Sequence, residues 1–131
     1  MKLVITGGRG YGMEKDLAGN LTMKAYRERE ALRKVLDYWY EFHANGDLEL
    51  AHGGANGADT LAQVWAESNY APCQVFEADW GHGKMAGPVR NLRMLMDFAP
   101  DFVLQFPGGR GTENCVMTAK RMKIPVVKVT V

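Results

Sequence analysis

The stretch MKLVITGGRG, Met1 to Gly10, decides how the chain is read: an apolar run from Leu3 to Thr6 stops abruptly in Gly7-Gly8-Arg9-Gly10. The same pattern returns at HGGANGAD from His52, at DWGHGKMAGPVRN from Asp79 and at PGGRGT from Pro107, each time with a helix-like pattern behind it. Glycine after a strand lets the backbone approach a ligand closely, and the helix that follows presents unpaired N–H groups that favour anions. One such loop would carry little weight. Four of them in 131 residues, three with arginine, point to a phosphate-bearing ligand, a nucleotide above all.

Outward from that first turn, the chain offers five candidate strands: Leu3 to Thr6, Leu48 to His52, Gln74 to Ala78, Phe102 to Phe106 and Val126 to Val131. They are short and mostly continuously apolar, the signature of strands buried on both faces. Between them Leu32, Val35, Leu36, Trp39 and Phe42 fall at helical spacing before a stop at Asn45-Gly46. Leu61, Ala62 and Trp65 mark a second helix, Val89, Leu92 and Met96 a third, and Cys115, Ala119 and Met122 a fourth. Strand and helix alternate throughout, which predicts an α/β, Rossmann-like, three-layer domain with a parallel five-stranded sheet in the order 3-2-1-4-5. In that order the first and fourth strands meet where the winding reverses, so TGGRGYG and PGGRGT share the crevice in which open α/β sheets bind ligands. The irregular stretch from Arg9 to Thr22 exceeds the usual ~2–6 residue connection and is expected to form a lid or an extra helical turn.

Composition bounds the function. The length and a hydrophobic content of 47% suit one domain, residues 1–131. Sixteen Lys and Arg against fifteen Asp and Glu leave a formal charge of +1, which gives no global pull toward nucleic acid or an anionic membrane. Two cysteines are too few for a disulfide framework, and the start reads as a strand with no leader segment, so a reduced, cytoplasmic protein is expected. No apolar stretch approaches the ~20 residues that span a bilayer. His43, His52 and His82 lack metal-ligand spacing with Cys73 and Cys115, and neither a metal nor a cofactor is expected.

The loops depart from ordinary nucleotide fingerprints. GGRGYG lacks the third glycine of the dinucleotide motif, and no loop ends in the Gly-Lys-Ser/Thr of a P-loop, which disfavours NAD-dependent oxidoreductases, kinases and ATPases. Phe106 to Thr112, FPGGRGT, instead resembles the PGGxGT signature of the SLOG superfamily, named for the DNA-processing protein DprA and the LOG cytokinin-activating enzymes. HGGANGADTLAQVWA from His52 to Ala66, ADW at Ala78 to Trp80 and GPVRN at Gly87 to Asn91 resemble its YspA-type, cpYpsA-related branch. The resemblance implies a Rossmann-like module that binds nucleotides or nucleotide-derived ligands. It also implies a departure: LOG-type phosphoribohydrolases carry PGGxGTxxE, and the position of their glutamate is Cys115. Glu113 lies two residues earlier, about 200° away on a helix.

The expected ligand set follows loop by loop. Gly7, Gly8 and Arg9 come from the first loop, and Gly53, Gly54, Ala55, Asn56, Gly57 and Asp59 from the second. Trp80, Arg90 and Asn91 come from the third, and Pro107, Gly108, Gly109, Gly111 and Thr112 from the fourth. A tight turn with Thr112 as helix N-cap would account for the last group without a ligand, Asp59 would serve equally as a helix cap, and Arg9, Arg90 and Arg110 as solvated charges. Trp80 and Tyr11 are candidates to stack on a base, Asn91 to read a ribose or base edge, and Trp39 and Trp65 to lie in the core. The leading expectation is a sensor or sequestering module for a nucleoside phosphate or ADP-ribose-like ligand. The alternative is a LOG-like N-glycosidase or phosphoribohydrolase using Asp59, Asp79 or Glu113. A thiolate at Cys115, lowered by a helix N-terminus, is a further catalytic option. Single-strand nucleic-acid binding is disfavoured by charge and size. Methionines at 94, 96, 117 and 122, with the pairing of SLOG proteins through helices, suggest a homo-oligomer.

Overall fold

Leu3 and Ile5 project to one side of the first strand and Val4 to the other, and each joins a different core. The computed structural model describes all 131 residues except the side chain of His82, so the sequence reading of that histidine lies outside the described residues. Strands β1 (Lys2–Thr6), β2 (Glu49–His52), β3 (Cys73–Val75), β4 (Phe102–Gln105) and β5 (Val126–Lys128) form one sheet in the order β3-β2-β1-β4-β5. Every pairing is parallel, with Leu3 opposite Leu50 on one flank and Phe102 on the other. Helices α1 (Met23–Tyr38), α2 (Ala58–Ser68), α3 (Ala86–Phe98) and α4 (Arg110–Arg121) supply the crossovers. The α/β, Rossmann-like architecture expected from the alternation is the one observed.

On the α1–α2 face, Leu3, Ile5, Leu50, Leu104 and Phe106 of and beyond the strands pack against Leu32, Leu36, Trp39 and Trp65. On the α3–α4 face, Val4, Ala51, Phe76 and Val103 meet Met94, Leu95, Phe98, Cys115 and Ala119. Both faces are therefore covered, which is why the central strands read as continuous apolar runs. Trp39 and Trp65 are core, and the Trp65 indole N–H donates to Asp37 at 2.8 Å.

Four local expectations are corrected. The stripe on α1 does not continue to Phe42, which is exposed: the helix widens into a π turn at Trp39–His43, where Ala44 N–H bonds to Trp39 O, and the extra residue shifts the phase. On α3 the buried positions are Asn91, Met94, Leu95 and Phe98, whereas Val89, Leu92 and Met96 are exposed. A polar residue on the buried face disguised the true phase. The stretch after β1 forms turns and one isolated bridge, Lys15 to Leu21, before Thr22 caps α1 by accepting Ala25 N–H at 3.2 Å. The outer strands β3 and β5 are also shorter than expected, ending at Val75 and Lys128.

Candidate functional site

Gly8 is the point at which three of the glycine loops interlock. Its N–H donates to Pro107 O at 2.8 Å, and its carbonyl accepts from Ala58 N–H at 3.3 Å, tying the turn after β1 to the turns after β4 and β2. Gly57 adopts φ 82°, and a Cβ there would sit 2.1 Å from Gly8 O. A Cβ on Gly108 would sit 2.2 Å from Thr112 Oγ1 and 2.7 Å from Gly8 N, and one on Gly7 would meet Ala58 Cβ at 2.6 Å. These glycines are small because loop packs on loop. At Gly109 and Gly111 a Cβ would meet nothing within 4 Å.

The interlocked loops floor a cleft of about 840 Å³ beyond the carboxyl ends of β1, β2 and β4, at the switch point between β1 and β4. Of the residues expected from the sequence, Gly7, Gly8, Arg9, Gly53, Gly54, Ala55, Asn56, Asp59, Trp80, Arg90, Asn91, Gly109, Gly111 and Thr112 line it together. Pro107 and Gly108 lie instead on a neighbouring cavity, and Gly57 lines neither, because it packs against the carbonyl oxygens of Gly8 and Arg9. Lys84, Gly87, Pro88, Met94, Arg110 and Asn114 join the wall without having been assigned to it. Of these, Arg110 lies inside PGGRGT and Lys84, Gly87 and Pro88 inside DWGHGKMAGPVRN, whereas Met94 and Asn114 belong to neither segment.

Four cationic side chains, Arg9, Lys84, Arg90 and Arg110, line the cleft against a single carboxylate, Asp59, among the described residues. The first intrahelical bond of α4 runs from Glu113 N–H to Gly109 O, so the N–H groups of Arg110, Gly111 and Thr112 have no partner within the helix. The N-cap is Gly109 and offers no capping side chain. Thr112 therefore lies within the first turn and is not the N-cap that PGGRGT suggested.

The cations divide by what already holds them. Arg90 is half-buried and bonds inward: Nη1 to the carbonyl oxygens of Gly53 and, at 3.4 Å, Phe76, and Nε to Asn91 Oδ1 at 2.9 Å. Burial pulls its guanidinium below the usual range, against the opposing charge of Asp59. It supports the second loop, and a Cβ on Gly53 would collide with that guanidinium. Arg9 is exposed, with its guanidinium carbon 5.6 Å from the centre of the Trp80 ring. Trp80 is 59% exposed and lines the cleft.

Asp59 sits in the first turn of α2 yet turns back to the loop, accepting N–H from Gly53 and Ala55, each at 3.2 Å. Burial raises its carboxyl above the ordinary value, opposed by His52, by Arg90 and by those two N–H groups. His52 is buried: Nδ1 accepts Gly54 N–H at 3.0 Å, which leaves Nε2–H to donate to Gln63 Oε1 at 2.7 Å. Asn91 donates to Gly111 O and to Asn114 Oδ1, joining α3 to the head of α4.

Several candidates are elsewhere. Tyr11 is 3% exposed, packs on Phe106 and donates its hydroxyl to Glu28 O, so it is a core residue and not a stacking surface. Burial pushes its hydroxyl far above the ordinary value, with Glu28 adding to the effect. Cys115 is fully buried in the α3–α4 core, and burial pushes its thiol up to about 11, with a Thr6 hydrogen bond opposing. No helix-terminal thiolate exists there. Glu113 is exposed and lies off the cleft, and Asp79, also off it, accepts Gly81 N–H at 3.1 Å. Among the described residues no cluster of His, Cys, Asp and Glu could hold a metal ion, and no helix is long and apolar enough to cross a membrane.

The YspA, cpYpsA-related SLOG family matches residues 1–83, which carry the first two glycine loops and Trp80. The Gene 61 protein of Mycobacterium phage D29 is 43% identical over 89 residues, covering 61% of this chain and 70% of the phage protein. With a match across well over half its length, the chain belongs to the YspA, cpYpsA-related SLOG family.

Proposed function

We propose that the cleft binds a nucleotide-derived ligand, a nucleoside phosphate or an ADP-ribose-like compound, and that the protein works as a sensor or sequestering module. One observation carries the reading: the open first turn of α4, an excess of cations and an exposed tryptophan face one cleft at the topological switch point. Anions gain from unpaired helix N–H groups and from arginine, and a purine or pyrimidine ring gains from an exposed indole. The volume lies within the ~300–1,000 Å³ range of small-molecule sites.

Binding is favoured over hydrolysis because, among the described residues, the one carboxylate lining the main cleft is Asp59, which the second loop already holds. N-glycosidic cleavage builds positive charge on the ribose and needs a carboxylate beside it to stabilise that charge and orient water. Cys115 occupies the relevant sequence position from within the core, and Asp59 is engaged by two loop N–H groups. Mass spectrometry of small molecules released from the natively purified protein tests the proposal. A nucleotide or nucleotide conjugate recovered intact is the expected result, and release of free base from added AMP would overturn the binding-only reading.

The proposal extends to self-association. Val89, Leu92 and Met96 on α3 and Met117 on neighbouring α4 are exposed apolar side chains, suited to cover one another in a homodimer. A monomer mass by light scattering at micromolar concentration would contradict this.

A further inference from the structure

Behind the Arg9 loop lies a second cavity of about 560 Å³, walled by Met13, Glu14, Lys24 and Glu28. Gly8, Arg9 and Gly109 line both this cavity and the main cleft, so the two are compartments separated by the proposed phosphate position. We infer that the second cavity is a subsite of the same ligand site, and that it takes a neutral, hydroxyl-bearing group carried on the distal phosphate of a nucleoside diphosphate. The inference rests on the nucleotide reading of the main cleft and narrows it to nucleoside diphosphate sugars.

The two compartments differ in charge. The main cleft sets four cations against one carboxylate, whereas the second sets Arg9 and Lys24 against Glu14 and Glu28 and is balanced. A second anionic group would be repelled there by two carboxylates, while hydroxyls would donate to them and accept from the Lys24 ammonium. Glu14 lies 3.8 Å from Lys24, and both are half or more exposed, so neither is locked in a buried pair. Glu28 is anchored through Oε1, which accepts Gly12 N–H at 3.0 Å. At the junction, Gly109 leaves open space and the first turn of α4 leaves open N–H groups, where a diphosphate would bridge the compartments. The nucleoside then falls on the side that holds Trp80, and the sugar on the side that holds Glu14.

Titration calorimetry with AMP, ADP and ADP-ribose tests this on the wild type and on Glu14→Ala, a substitution that removes only an exposed side chain. Glu28 is left intact because its carboxylate holds the loop. In the wild type ADP-ribose should bind about tenfold tighter than ADP, the order of one charge-assisted hydrogen bond. In Glu14→Ala that advantage should largely vanish while ADP binds as well or better, since a carboxylate facing its terminal phosphate is gone. A merely structural role for Glu14 would weaken all three ligands together and would overturn the subsite. So would equal wild-type affinities for ADP and ADP-ribose with AMP and ADP bound, a result that leaves the main cleft standing. If none of the three binds, the nucleotide reading fails and takes the subsite with it.

Discussion

Gly57 and Gly109 hold the same position, each the residue before the first turn of a helix that follows a strand, and the molecule uses them in opposite ways. Gly57 is left-handed at φ 82° with its missing Cβ directed at the carbonyl oxygens of Gly8 and Arg9, so it is a packing glycine. Gly109 has φ −111° and faces open space in the cleft. A glycine-rich motif is thus two populations. One, with Gly7, Gly57 and Gly108, lets loops stack on each other. The other, Gly109 and Gly111, meets nothing within 4 Å where a Cβ would stand and leaves the head of α4 uncovered toward the cleft.

The comparison breaks first at Gly57→Ala. The added methyl meets backbone oxygen at 2.1 Å in a conformation that L residues rarely adopt, so the loops must separate. A loss of about 3 kcal/mol or more in urea unfolding is expected. A loss below about 1 kcal/mol would show that the interlock is not structural.

The two arginines sharpen it next. Arg90→Ala strips the partner from the carbonyls of Gly53 and Phe76 and from Asn91 Oδ1, and should cost about 2–3 kcal/mol of stability. Arg9→Ala should leave stability within about 0.5 kcal/mol and weaken ADP-ribose binding by about 1.5–3 kcal/mol. Thermal melts beside calorimetry separate the two patterns. An exchange of roles, with Arg90 felt only in binding and Arg9 only in stability, would overturn this division.

A smaller effect is expected in base. The Cys115 thiol, raised by burial to about 11, stays protonated in the fold above pH 9 while the unfolded chain ionises. Proton release then favours unfolding, so stability is unaffected below pH 9 and falls between pH 9 and 11, by up to about 1.4 kcal/mol per unit. Unfolding curves for Cys115→Ala should show a shallower decline over that window. An unchanged slope would mean that Cys115 is not buried as described.

Much of this fold was legible because its signals are local. Apolar runs closed by glycine at Thr6, His52 and Gln105 mark where central strands end, and alternation with helices fixes a parallel sheet. The cleft was legible to the extent that the switch point gathers whatever follows β1 and β4. What stayed hidden depends on tertiary contact. Tyr11 looked available in a long loop, but the loop folds back on α1 and buries it against Phe106. Buried Asn91 concealed the inward face of α3, and Asn114 reaches the cleft from a helix flank that carries no motif. Which arginine is free was not readable either, since the acceptors that engage Arg90 are backbone carbonyls on two other segments.

The central claim, that the uncovered head of α4 receives the ligand's phosphate, is tested most directly by calorimetric titration of ADP-ribose into wild type and Gly109→Val. The branched side chain has room in the unliganded fold, so the melting midpoint should hold to within the shift of about 1 kcal/mol typical of a tolerated substitution. Binding should be abolished, because the side chain fills the space of the phosphate. Undiminished affinity in a folded Gly109→Val protein would place the site elsewhere and contradict the account.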